Sequence, residues 1–99
     1  MLRITTYGRA GETSFVAEGK LVGPWVRELE KCWGRAQAAE PSGAVEVNLA
    51  AATFIDSEGR ALLTRMRRGG VRLLSRGPLI NVIVTQIEAE VGHGAAAHY

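Results

Sequence analysis

The sequence has little cysteine and no long apolar run, and each shortage excludes something. The single cysteine among 99 residues, Cys32, has no intrachain partner, so nothing points to an oxidising compartment. No stretch approaches the roughly 18–20 apolar residues that cross a bilayer. The opening residues, MLRITTYGRAGETS, hold no apolar core of a secretory signal. These absences predict a cytoplasmic protein without direct membrane insertion. Charge of one sign is scarce too, because twelve Lys and Arg stand against ten Asp and Glu, a formal balance of +2. So weak a field, with no reading motif and no aromatics among the arginines, argues against nucleic acid. No GxGxxG or GxxxxGK[ST] run is present, so the standard nucleotide cradles are missing. His93 and His98 stand five apart near the end, with no Cys or carboxylate set to complete a metal site. Neither a metal nor a cofactor is expected.

Hydrophobic residues make up 46% of the chain, enough for one folded domain. LRITTY alternates as a strand does, GRAGE is turn chemistry, and TSFVAEG reads as a second strand, together a hairpin. Pro24 then opens an amphipathic helix. Leu21, Trp25, Val26, Leu29, Cys32, Trp33 and Ala36 form its apolar stripe. The two tryptophans are core anchors there, and Cys32 is a buried, inert thiol with no histidine near it in sequence. Val45, Val47 and Leu49 mark a third strand, whose run continues through Ala50–Ala52 to Phe54 and Ile55. From Ser57 the period changes to 3.6. Leu62, Leu63 and Met66 converge with Gly59, while Ser57, Arg60, Ala61, Thr64, Arg67 and Arg68 fall opposite, and Gly69-Gly70 closes the helix. Val71–Ser75 is a last strand. Residues 78–91 read as a helix with Leu79, Ile80, Ile83, Val84, Ile87 and Val91 on one stripe and Val82 as the exception. The order β-β-α-β-α-β-α predicts an α/β domain over residues 1–91. Its mixed sheet has about four strands with helices packed on it, and residues 92–99 form a flexible C-terminal tail.

The turn FIDSEG, Phe54–Gly59, carries the chemistry. Asp56 is a good N-cap, worth about 1 kcal/mol. Glu58 suits the positive end of the helix dipole. Gly59 falls on the buried stripe, where a missing side chain lets helix and sheet approach. Ser57 has no histidine base in the folded part of the chain, and two carboxylates on one turn do not make a pocket, so no catalytic residue is assigned and the chain is not read as an enzyme. The arginines on the exposed face offer an acidic protein partner a steering field.

FIDSEG after a Val-rich strand, an LL-containing helix behind it and a glycine before the next strand resemble the STAS family of sulphate transporters and anti-sigma-factor antagonists. The resemblance covers nearly the whole chain, with Phe15–Gly19, Val45–Leu49 and Val71–Ser75 matching the other strands. It implies a non-catalytic regulatory module that docks onto a protein through the turn and the following helix. The expected contact is Asp56, Ser57, Glu58, Gly59, Arg60, Thr64 and Arg67. The implied partner is an anti-sigma-factor kinase. The alternative is the ATPase subunit of a phospholipid ABC transporter. In the family such kinases phosphorylate a serine of the turn, and here Glu58 stands at that position. Glu58 then mimics the phosphoserine, or the module is not switched, or Ser57 serves as acceptor. That last reading ranks lowest, since one residue is about 100° of helix rotation. A weak homodimer through an apolar edge strand or an exposed tryptophan is also compatible with the sequence.

Overall fold

A computed structural model describes residues 1–96; His98 and the rest of 97–99 lie outside the described residues. The elements run β1 (Leu2–Arg9), β2 (Glu12–Leu21), α1 (Pro24–Ala39), β3 (Ala44–Asn48), β4 (Ala52–Ile55), α2 (Ser57–Arg68), β5 (Arg72–Leu74) and α3 (Pro78–Ala96). α3 thus continues past Val91, where the sequence reading ends the domain and begins the tail.

The hairpin closes more tightly than its turn-rich stretch suggests, with Arg9 paired to Glu12. β1 lies antiparallel to β2, while β3 and β4 both run parallel to β2, and β5 runs parallel to β3. The result is a five-stranded mixed sheet in the order β1-β2-β3-β5, with β4 beside the second half of β2. One strand expected over Val45–Ile55 is therefore two, laid end to end along β2. The break falls where the β-formers run out. Asn48 turns its side-chain oxygen onto the Ala50 N–H at 2.9 Å, and the Ala52 N–H closes a turn on Leu49 O at 3.0 Å.

The core lies on the sheet face carrying Phe15, Ala17, Leu21, Val47 and Leu73. Val26 and Leu29 of α1, Leu62, Leu63 and Met66 of α2, and Ile80, Val84 and Ile87 of α3 close over it. Trp25, Cys32, Trp33 and Ala36 pack only at its margin, partly buried, so Cys32 is not the fully buried thiol and the tryptophans are not the core anchors expected from the stripe. Leu79 departs from its stripe and is 60% exposed, as is the exceptional Val82 at 53%. No helix among the described residues is long and apolar enough to cross a membrane.

Candidate functional site

The acidic turn begins as backbone geometry. Asp56 leaves β4 in an extended conformation, and its carboxylate Oδ1 accepts the Gly59 N–H at 2.7 Å, an N-cap bond. The other oxygen, Oδ2, accepts the Gly23 N–H at 3.1 Å, in the loop that leads from β2 to α1. The Asp56 N–H donates to Leu21 O at 3.2 Å, so the same residue also holds the end of β2. Gly23 has φ +52°, a backbone state that a side chain disfavours. One carboxylate thus fixes the starts of two helices relative to each other, a role beyond capping that no sequence signal announces.

Gly59 is buried against β2. A Cβ there would stand 2.7 Å from Leu21 O and 3.0 Å from Ile55 Cγ2, so only glycine lets α2 start this close to the sheet. The close approach read from the pattern is present. It also means that Gly59, included in the expected contact set, lies beneath the surface.

Ser57 and Glu58 project into solvent, and neither makes a side-chain hydrogen bond among the described residues. The next turns of α2 correct the expected exposed face. Thr64 is buried, at 8% exposure, and its hydroxyl donates back to Arg60 O at 2.8 Å. α3 lies across that side of the helix. Arg60 donates to Gln86 Oε1 at 2.8 Å and pairs with Glu90 at 3.3 Å, and Arg67 pairs with Glu88. α2 is covered on two sides, by the sheet and by α3, and a helical wheel for the isolated segment shows only the first. Thr64 is thereby withdrawn from any surface contact, and Arg60 and Arg67 are held by α3 carboxylates.

The flank that stays open faces α1. Glu58, Ala61 and Arg65 of α2 and Val26, Arg27 and Glu30 of α1 line a shallow recess of about 220 Å³. Arg65 and Glu30 span it with an ion pair of 2.8 Å, both side chains about half exposed. The residues that sequence reading missed are those of α1, because proximity to the turn arises from the crossover and leaves no local signature. A larger recess of about 470 Å³ lies over Tyr7, Ser14, Glu46 and Arg72 at the opposite end of β2, remote from the acidic turn. Burial, aided by the charge of Glu28, raises the Cys32 thiol above its ordinary value of 9.0, in keeping with an unreactive thiol.

No family model matches the chain, and no curated protein matches it. Solved structures do. An anti-sigma factor antagonist from Mycobacterium paratuberculosis superimposes with a TM-score of 0.75 and 19% identity over 91% of this chain and 80% of that one. The anti-sigma factor antagonist SpoIIAA in its unphosphorylated form gives a TM-score of 0.65 and 17% identity over 84% of this chain and 80% of that one. Part of a longer protein, Mglu, gives 0.58 at 19% identity, with 76% of this chain on 19% of that one. At such identities likeness is one of fold: the chain has the STAS fold, shared with these two anti-sigma factor antagonists.

Proposed function

We propose that this protein is a regulatory protein-binding module, similar in role to an anti-sigma factor antagonist, and that it docks through the open flank of α2. The observation that carries the reading is the division of labour in the turn. Asp56 has both carboxylate oxygens engaged by backbone N–H groups, while Ser57 and Glu58 beside it are presented outward. An enclosed reaction centre needs a base within reach of the hydroxyl, and Ser57 stands at the surface of a helix start. The fold of two anti-sigma factor antagonists supports the same reading.

The contact set accordingly centres on Ser57, Glu58, Ala61 and Arg65, with Arg27 and Glu30 of α1 at its margin. Arg60 and Arg67, engaged by α3, lie outside it. Glu58 gives the helix start a fixed negative charge, favourable at the dipole's positive end, so no phosphate toggles that position.

The test is affinity capture with the tagged chain from its source organism, followed by titration of the purified partner. Glu58→Lys combined with Arg65→Glu is expected to weaken binding at least tenfold while leaving the melting curve unchanged. A kinase-fold partner supports the anti-sigma reading, whereas an ABC ATPase overturns it and keeps the surface. Unchanged affinity in the double variant refutes the surface itself.

A further inference from the structure

We propose that the free edge of β1 pairs with β1 of a second copy of this chain, antiparallel and centred on Thr5, to make a dimer with one continuous sheet. β1 closes the strand order at one end, and all eight of its residues pair with β2 without a break in register. Its other edge meets no strand among the described residues.

Two backbone bonds reveal which groups that edge presents. The Lys20 N–H donates across the hairpin to Met1 O at 3.2 Å, while the Gly19 N–H donates the other way, to Ala51 O at 3.1 Å. Antiparallel ladders alternate bonded and non-bonded pairs. With Met1 and Lys20 a bonded pair, Arg3, Thr5, Tyr7 and Arg9 turn their N–H and C=O groups toward β2. Leu2, Ile4, Thr6 and Gly8 turn theirs outward, to the free edge.

Edge strands are normally blunted by proline, a bulge, short length, charged side chains or a covering segment, and of these β1 carries only the charges of Arg3 and Arg9. β1 has no proline and no bulge. A recess of about 340 Å³ between Thr6 and Gly8 on one side and Cys32 and Ala36 on the other keeps α1 clear of it. The opposite edge of the sheet is β5, whose three residues are too few to template a partner.

The sequence of β1 is complementary to itself when Thr5 lies opposite its copy. With Thr5 opposite its copy, Ile4 meets Thr6 and Leu2 meets Gly8, so every outward-turned residue finds an outward-turned partner. Arg3 then lies opposite Tyr7 on the sheet face away from the helices, where both side chains are exposed and a guanidinium can stack on the ring. Centring the pair on Thr6 instead sets Arg3 against Arg9, a repulsive match. An odd shift would turn the core face of one copy toward the solvent face of the other. The two symmetric Arg3–Tyr7 contacts of this register are what favour a second copy over an unrelated extended segment. The edge alone is small against the roughly 1,200–2,000 Å² of a specific stable interface, so the dimer forms at high concentration and dissociates on dilution.

Sedimentation equilibrium over a concentration series tests the pairing with the pure protein alone, independently of any partner at α2. The weight-average mass of the wild type is expected to climb from 10.6 kDa toward twice that value. Thr5→Lys, which places two like charges opposite each other, should stay monomeric with an unchanged melting curve. In a Cys32→Ser background, Thr5→Cys should form a disulfide-linked dimer on mild oxidation, because non-bonded antiparallel pairs hold their Cα atoms about 4.5 Å apart. Glu18→Cys, on β2, should not. A wild type that is monomeric throughout, a Thr5→Lys dimer, or equal cross-linking by both cysteine variants would overturn the proposal.

Discussion

Arg60 and Arg67 on one flank of α2 and Arg65 on the other belong to the same helix, and each has an acidic neighbour on a second helix. Between the first two lies Thr64, buried under α3. Beside the third lie Ala61 and a recess open to solvent. In their exposed ion pairs the flanks are alike, and they differ in the residue alongside, Thr64 buried and Ala61 exposed. The comparison teaches that a basic helix face is open to a partner only where no second element of the same chain lies across it, which is why the proposed contact is placed on the α1 side. On the α3 side the ion pairs help seat one helix on another. On the α1 side the pair spans a gap that a partner can enter.

Four predictions break or sharpen this contrast, in descending order of effect. Gly59→Val should be the most damaging. Its side chain would collide with Leu21 O and Ile55, lifting α2 from the sheet and disturbing both flanks at once, at a cost of about 3 kcal/mol in urea unfolding. Asp56→Ala should cost about 2 kcal/mol by the same measurement, since it removes the N-cap and leaves the Gly23 N–H without its partner. Single replacements of Arg60, Arg65 or Arg67 by alanine should each change stability by no more than about 1 kcal/mol, because all three pairs are substantially exposed. They should separate in binding, with only Arg65→Ala weakening the partner complex. The smallest effect concerns Cys32 in α1. Its thiol titrates higher in the folded chain than in the unfolded one, so the neutral form is favoured by folding. That contribution is fully present below the ordinary pKa of 9.0 and is lost as pH rises through the folded value. Alkylation at neutral pH should accordingly run slower in the native protein than in urea, as read by mass spectrometry.

Much of this architecture was legible because local pattern and tertiary demand agreed. The apolar stripe of α1, Pro24 at its start, and the convergence of Gly59, Leu62, Leu63 and Met66 all reappear as packing against the sheet. The acidic turn was legible as a cap for the same reason. What escaped depends on contacts between distant segments. The division of one expected strand into β3 and β4 follows from how Asn48 folds onto its own backbone beside β2. The burial of Thr64 and the capture of Arg60 and Arg67 depend on α3, more than twenty residues downstream. The tie from Asp56 to Gly23 spans 33 residues. The α1 side of the proposed docking surface is likewise created by a crossover and has no motif of its own.

The most direct test of the docking surface compares two double variants against the purified partner by calorimetric titration. Glu58→Lys with Arg65→Glu alters the open flank, and Arg60→Glu with Arg67→Glu alters the flank under α3. The prediction is a loss of at least tenfold in affinity for the first and a change within about twofold for the second, corrected for any unfolded fraction. The reverse pattern, with the α3 flank carrying the loss, would contradict it.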